Sequence, residues 1–298
     1  MTRKQRRIKP CRLRDLWNQY TEFQRSQLAP STIARDYRKV ARLLVKMPDY
    51  LDTAIEIRDW LLKHYAAETT RRYLMQLNAC CNWAVESDLL TLNPFQGLGK
   101  QFRQKVNDLA YVGFTAIERD TIIATIEAEY PVYASWVKFL FWTGCRPEEA
   151  AALKWEHMTP TYTQIRFSQA APVDTKKVQA TKTWKSRTFP TNQRLQTLLT
   201  TLHQSNSPSS DFVLQGLEGD SFDYHNFQTR YWKPTVKRLV NRGEVSIYLP
   251  QSHARHTFIT LALEHLPVKD VAYLVGNTPT VIYKYYVSRS RDLQVPEF

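Results

Sequence analysis

Four short stretches of the chain carry side chains whose types and spacing suit chemistry on a phosphate ester. The first is "TGCRPEEAAALKW", where an apolar helical run breaks at Thr-Gly-Cys and restarts on Arg146. Pro147 cannot donate a backbone hydrogen bond and suits the first helical position, so Arg146 falls at an N-cap with Glu148 and Glu149 in the first turn. A helix start favours anions, because unpaired N–H groups and the helix dipole both attract negative charge. A guanidinium at a junction flanked by apolar residues needs an anionic partner. Glu149 is one such partner and a bound phosphate is another; the spacing alone leaves both open.

The second stretch, "TKTWKSRTFP", sets Lys182, Lys185 and Arg187 on or beside a strand-turn-strand. A lysine on a hairpin tip can hand a proton to a phosphate-ester oxygen, but a solvated hairpin carries the same residues. In the third, "PQSHARHTFIT", Arg255, His256 and Thr257 open a helix with Phe258, Leu261 and Leu263 on its apolar side. Arg255 and a neighbouring imidazole could face one anion; flanked by core residues, His256 reads more simply as a hydrogen-bonded structural histidine. The fourth, "GNTPTVIYKYYV", offers Tyr283, Tyr285 and Tyr286. A phenol with a pKa of roughly 10 is a poor nucleophile unless cations surround the phosphate it attacks. Such aromatic clusters otherwise belong to cores.

The elements that must position these residues follow from patterning. With 298 residues, 43% hydrophobic and 12% aromatic, the chain can bury two cores. Residues 1–11 read as a basic flexible arm. Residues 12–95 hold four helical patterns, beginning with Leu13, Leu16, Trp17, Tyr20 and Phe23 at helical spacing. Basic residues (Arg35, Arg38, Lys39, Arg42, Arg71, Arg72) lie on their outward faces. Residues 96–109 mix Gly and charge and read as a linker. Residues 110–298 alternate helical patterns, including one over "PEEAAALKWEHM", with "TYTQIRFSQ" and "QATKTWKSRTFPT", which read as antiparallel strands. The expected fold is a mostly α N-terminal helical bundle domain plus an α+β domain with a small antiparallel sheet.

Charge narrows the partner. Lys and Arg number 41 against 28 Asp and Glu, a net charge of +13 that suits a polyanion. No apolar run reaches membrane-span length, the basic N-terminal residues lack the apolar stretch of a signal peptide, and a cytoplasmic location is the default expectation. Cys11, Cys80, Cys81 and Cys145 form no Cys-x-x-Cys pair and no zinc-ligand spacing with histidine, so neither metal nor cofactor is expected.

Taken in order, Thr-Gly-x-Arg-x-x-Glu, a hairpin lysine, Arg-His-Thr-Phe and a C-terminal tyrosine resemble the tyrosine recombinases, the phage-integrase and Xer-like site-specific recombinases. "TGCRPEEAAALKW" and "ARHTFIT" match that family's two arginine motifs, and the segment ending "LNPFQGL" resembles its helical core-binding domain; the likeness runs from about Leu13 to Tyr286. The resemblance implies that Arg146 and Arg255 clamp a phosphate, that Glu149 supports the first arginine, that Lys182 is the hairpin lysine and that Tyr286, nine residues after Asn277, is the nucleophile. Two positions depart from the pattern. Ser252 stands where a His, Lys or Tyr is usual, with His253 beside it as the candidate replacement, and Asn277 stands where His or Trp is usual. Asn can donate to a phosphate oxygen but cannot carry a proton.

What the resemblance implies is a metal- and ATP-independent DNA strand transferase, cutting and rejoining duplex DNA at a specific recombination site through a 3′-phosphotyrosyl intermediate, as a homo-tetramer on paired sites. No Walker loop or acidic metal cluster is present in the sequence to supply another mechanism. Two alternatives share the same residues: a catalytically weakened DNA-binding relative, motivated by Ser252 and Asn277, and a type IB topoisomerase-like relaxing enzyme.

Overall fold

The computed structural model describes residues 12–47, 54–102, 111–171, 179–180, 186–205, 210–216 and 220–287. The chain divides into two compact units, Met1–Asn107 and Asp108–Phe298.

The first unit is helical. It holds helices α1 (Leu13–Gln24), α2 (Pro30–Thr32), α3 (Arg38–Leu44), α4 (Ala54–His64) and α5 (Ala67–Glu86), with a π turn at Ile33–Tyr37 joining α2 to α3. Leu13, Leu16, Trp17, Val40, Leu44, Ile57, Leu61, Leu74 and Leu77 recur at helical spacing and meet in one core. Cys80 and Cys81 are both fully buried there and are not joined in a disulfide. Phe23, the last apolar residue of the α1 pattern, stays 47% exposed and only leans on Trp83. Arg35, Arg38, Lys39 and Arg42 line the outer side of this unit, all four exposed.

The expected linker begins later than its composition suggests. Phe95 is fully buried, Leu98 is buried, and Leu98–Gln101 forms a 3-10 turn on the first core. Asn93 fixes this end: its Nδ2 donates to Asn78 and Asn82, while its Oδ1 accepts from the Phe95 amide at 2.8 Å. A stretch of glycine and charge reads as linker from sequence, yet Leu98 suffices to hold its start on the first core. The rest of that stretch, 103–109, and the basic arm lie outside the described residues.

The second unit is built around α7 (Pro131–Thr143), which is apolar on nearly every face because neighbours surround it. Against it pack α6 (Ala116–Glu129), α9 (Gln193–Ser205) and α12 (Ala254–Ala262). Trp136, Phe139, Ile122, Ile126, Trp232 and Val236 form the centre of this core. Strands β1 (Gln164–Phe167) and β4 (Arg187–Pro190) pair antiparallel with Phe167 opposite Arg187; β2 (Gln169–Ala170) pairs with β3 (Gln179–Ala180). Between α9 and α12 lie α10 (Tyr224–Phe227), a π turn at Gln228–Trp232 and α11 (Lys233–Asn241). The π turn ends just before Pro234, whose missing N–H and ring bulk disrupt the regular ladder. Helices α13 (Val268–Val275) and α14 (Pro279–Tyr285) close the unit over a small cluster of Ile259, Val271, Val275, Ile282 and Tyr286.

One expected helix is much shorter than its pattern. Over "PEEAAALKWEHM" only α8 (Pro147–Ala151) is helical, followed by a 3-10 turn at Trp155–His157. The chain leaves the helix to pair with 211–213: the Val213 amide donates to Leu153 and the Trp155 amide to Asp211. Tertiary pairing overrides a local helical preference.

Candidate active site

Three chain junctions meet at one place. At the first, α7 ends in Gly144, whose φ of 61° lies in the left-handed region. A Cβ there would stand 2.5 Å from the Phe258 ring, so glycine is required both by the turn and by the close approach of α12. Arg146 follows in extended conformation as the N-cap of α8, with Pro147 behind it. The Arg146 amide and its Nη1 donate to the two Glu149 oxygens at 3.0 and 3.1 Å. Glu149 is buried, but 39% of the Arg146 side chain remains exposed. The junction is therefore buried in its backbone and open at its guanidinium.

The main partner of Glu149 is a residue to which sequence reasoning gave no part in the chemistry. Arg187, on β4 and 7% exposed, meets the carboxylate bidentately at 3.1 and 2.7 Å. Its Nε donates to the Leu274 carbonyl at 2.8 Å, and its plane lies over Phe167, 4.4 Å from the ring centre. Burial pushes the Glu149 carboxyl up, but the Arg187 hydrogen bonds and charge, with Arg146 behind them, bring it below the ordinary carboxylate range. A signal was present: Arg187 and Phe189 alternate onto the same face of β4, so an arginine there was bound for the interior. Choosing its partner needed the fold.

The second junction is the start of α12. Gln251 locks the 3-10 turn Gln251–His253 by donating to the Tyr224 carbonyl and accepting from the Trp136 indole. Arg255 follows, 7% exposed, with Nη1 donating to the Gly144 carbonyl at 3.0 Å. Its Nη2 is buried with no hydrogen-bond partner among the described residues. Burial, then the Arg146 charge, bring the guanidinium down to about 10, against the opposing pull of Glu149; it remains charged at neutral pH. Three guanidiniums thus converge with one carboxylate. The buried donor of Arg255 is unsatisfied, a state that buried polar groups seldom keep without a ligand.

The third junction is the end of α14. Tyr286 is 5% exposed, and its hydroxyl lies 2.6 Å from Nδ1 of His256. Burial pushes the phenol up to about 12, although the Arg255 and Arg146 charges pull the other way. Burial, then His253 and Arg255, push the His256 imidazole down to about 3. His253 lies behind it, ring centres 4.7 Å apart, with Nδ1 2.7 Å from the Val112 carbonyl. A carbonyl only accepts, so that nitrogen carries hydrogen. Burial outweighs the carbonyl and holds His253 below the ordinary imidazole value.

Residues 111–114 brace this corner. Tyr111 stacks on Tyr285 at 3.9 Å and sets its edge against His256 and Tyr286. A Cβ on Gly113 would come within 2.7 Å of the Thr257 backbone, and the Phe114 amide donates to the Thr257 hydroxyl at 2.9 Å.

Of the residues expected at a site, Arg146, Glu149, Arg255 and Tyr286 come together. Tyr285 is committed to Tyr111, and Tyr283 is 56% exposed. Ser252 is exposed, while Asn277 is half-buried with its amide donating to the Ala272 carbonyl. His256 rather than His253 is the imidazole in contact with Tyr286; a separation of 30 residues leaves no local pattern to show that. Lys182 and Lys185 lie outside the described residues. Among the described residues no group of three or more His, Cys, Asp or Glu side chains is arranged to hold a metal ion, and no helix is long and apolar enough to cross a membrane.

Comparison with known proteins agrees with this corner of the fold. The sequence profile of the phage integrase family matches residues 114–291. No curated protein matches the chain in sequence. Among solved structures, the Tn1549 transposon integrase in complex with transposon right end DNA is 17% identical with a TM-score of 0.76, over 93% of this chain and 95% of that one. A lambda integrase dimer bound to a COC′ core site is 14% identical with a TM-score of 0.72, over 97% of this chain and 81% of that one. A lambda integrase tetramer bound to a Holliday junction is 13% identical with a TM-score of 0.72 and the same coverage. At these identities the likeness is one of fold, and the family match supplies the rest: the chain belongs to the phage integrase family, the tyrosine recombinases.

Proposed function

We propose that this protein is a site-specific DNA recombinase that cuts and rejoins duplex DNA through a 3′-phosphotyrosyl intermediate. The observation that carries the reading is the buried, unpartnered Nη2 of Arg255, beside Arg146 and in the electrostatic field of the Tyr286 hydroxyl. A phosphodiester seated there receives Arg255 Nη2 and the exposed edge of Arg146 on its non-bridging oxygens. Tyr286 attacks phosphorus, the bond to the 5′ oxygen breaks, and the 3′ phosphate stays on the tyrosine. Preorganised guanidiniums stabilise the charge that builds on those oxygens, and in many enzymes such stabilisation lowers the barrier more than any other effect. Glu149 and Arg187 position Arg146. Lys182, the hairpin lysine of the family resemblance, is assigned the protonation of the leaving 5′ oxygen. Asn277 is assigned a hydrogen bond to the phosphate.

The covalent link keeps the energy of the phosphodiester, so religation needs neither ATP nor a metal ion. The first unit, with its outward row of Arg35, Arg38, Lys39 and Arg42, is the candidate DNA-binding domain, and the second is the candidate catalytic domain. Assembly as a homo-tetramer on paired sites is the arrangement this chemistry calls for when strands are exchanged between two duplexes; the solved lambda integrase tetramer on a Holliday junction is a fold relative in that state.

The test is covalent capture. The protein is incubated with a randomised library of nicked duplexes, and DNA still protein-linked in denaturant is sequenced. Adducts on a common sequence, lost in Tyr286→Phe, support the reading. Binding without any adduct points instead to a DNA-binding module. Relaxation of plasmids that lack the captured sequence points to a topoisomerase-like enzyme.

A further inference from the structure

Breaking the phosphodiester requires that the Tyr286 oxygen lose its proton as it attacks. A phenol held at about 12 does not release that proton to water at neutral pH. The neighbours available to take it are few. Ser252 is exposed and is no base. Glu149 is buried under two guanidiniums. His253 donates its Nδ1–H to the Val112 carbonyl, which leaves Nε2 as its acceptor. Its ring lies against that of His256, centres 4.7 Å apart, but it is His256 that is in hydrogen-bond contact with the phenol. His256 holds its Nδ1 2.6 Å from the Tyr286 oxygen, within the range for proton transfer.

We infer that His256 is a further catalytic residue, whose Nδ1 takes the phenolic proton of Tyr286 as the tyrosine oxygen bonds to phosphorus. The inference rests on the recombinase reading above and adds the base to it. The step balances: the Tyr286 O–H bond breaks and an N–H bond forms on His256. The tyrosine O–P bond forms, the bond from phosphorus to the 5′ oxygen breaks, and that oxygen takes a proton from the group assigned to Lys182. On religation the 5′ hydroxyl gives up its proton and attacks, and His256 returns its own to the departing tyrosine oxygen.

Geometry prepares the ring for this. As an acceptor at Nδ1, neutral His256 carries its hydrogen on Nε2. The Tyr111 edge and the His253 ring pack against it, and Tyr286 lies near-parallel at 25°. The close approach of Gly113 to the His256 and Thr257 backbone fixes the first turn of α12 beneath it. The titratable and charged groups facing His256 are His253 and Arg255 from its own segment, Tyr111 from 111–114, and Tyr286 after α14. Burial, then the charges of His253 and Arg255, keep His256 unprotonated in the resting site, so the acceptor form is the populated one throughout the neutral range.

The experiment measures single-turnover adduct formation on a captured nicked duplex by wild type, His256→Gln and His256→Ala, from pH 6 to 9.5. DNA affinity is measured alongside as the readout of intact structure. Loss of a general base costs roughly 10²–10⁴-fold in rate. The expected result is a loss of that size in both variants at pH 7 with DNA affinity retained. The residual rate rises with pH, and added imidazole restores part of the His256→Ala rate. Adduct formation by His256→Gln within threefold of wild type, with a flat pH profile, would overturn the inference while leaving the recombinase reading intact. Absence of adduct in wild type would instead overturn that reading. If His256→Ala fails to bind DNA, His256→Gln, which keeps the volume and a hydrogen bond but cannot take the proton, decides alone.

Discussion

Replacing Arg187 by methionine removes a guanidinium that no local sequence rule singles out and that the site leans on most. Four interactions disappear together: two hydrogen bonds to Glu149, one to the Leu274 carbonyl and the contact over the Phe167 ring. The surviving carboxylate is 3% exposed and keeps only Arg146. Breaking a buried pair by deleting one partner costs about 3–5 kcal/mol, and this pair is bidentate and almost dry, which places the expected loss in that range. The two units need not unfold together, so the loss is best read by amide hydrogen exchange on peptides from α7, α8 and β4 rather than from one midpoint. Opening free energy in these peptides falls by the stated amount, while α1 and α5 in the first unit keep theirs. A pH dependence follows. In wild type the Glu149 carboxyl sits below its ordinary value; without Arg187, burial raises it. The charged form is therefore stabilised in one protein and penalised in the other. The deficit of Arg187→Met is then largest at neutral pH and shrinks on acidification, first as the raised carboxyl of the variant takes up its proton and last as the lowered carboxyl of the wild type does. A loss under about 1 kcal/mol, or a deficit that grows on acidification, would refute the claim that Glu149 is charged and held by Arg187.

Gly144→Ala forces a left-handed residue at φ 61° and a Cβ 2.5 Å from Phe258, so a loss of about 2–4 kcal/mol is expected in α7 and α12 by the same exchange measurement. Gly113→Ala meets backbone rather than a flexible side chain, and displacing Tyr111 and Val112 lowers adduct formation by roughly 10²-fold with less effect on DNA affinity; unchanged kinetics would sink that assignment. His256 sits at about 3 when folded against an ordinary imidazole value when unfolded, so the unfolded chain binds the extra proton. Stability is therefore full above about pH 6.5 and is lost on acidification toward 3, and His256→Gln flattens that slope in thermal unfolding scans. DNA binding weakens steeply with salt, and each of Arg38→Ala and Lys39→Ala lowers the log–log slope by about 1 if it contacts a phosphate.

What was legible in the sequence divides by range. Helix spacing from Leu13 to Ala84 and strand alternation around β1 and β4 are local patterns, and the fold class follows from them. The two arginine motifs and the tyrosine spacing are local as well, and the structure brings Arg146, Arg255 and Tyr286 into one corner. The illegible part depends on contacts between segments far apart in the chain. Arg187 meets Glu149 across 38 positions, and His256 meets Tyr286 across 30. The early end of α8 likewise depends on residues 211–213, which no window around Glu149 contains. The stretch 96–101 read as linker for a different reason: composition weighs all its residues alike, whereas Leu98 decides where it packs.

The charge left over in this corner explains why the pieces are held as they are. Three guanidiniums against one carboxylate leave an excess of two positive charges. Arg146 and Arg187 both disfavour the charge on Arg255, and Arg255 in turn disfavours a proton on His256. In the resting site burial, helped by the His253 and Arg255 repulsions, keeps His256 neutral. Burial also keeps Tyr286 protonated against the pull of Arg255 and Arg146, so the nucleophile is idle. On the proposed reading a seated phosphodiester brings one negative charge and the attacking phenolate oxygen delivers a second as the phosphorus centre crowds to five bonds. The fixed guanidiniums that met one negative charge in the resting diester then meet two on the phosphorus centre, while the proton lost by the phenol stays on His256. The site thus favours the crowded state over the bound substrate, which is the condition for acceleration rather than mere binding. On the same reading the phosphate charge offsets the repulsion that Arg255 exerts on a protonated His256, which makes the imidazole a better base with DNA in place.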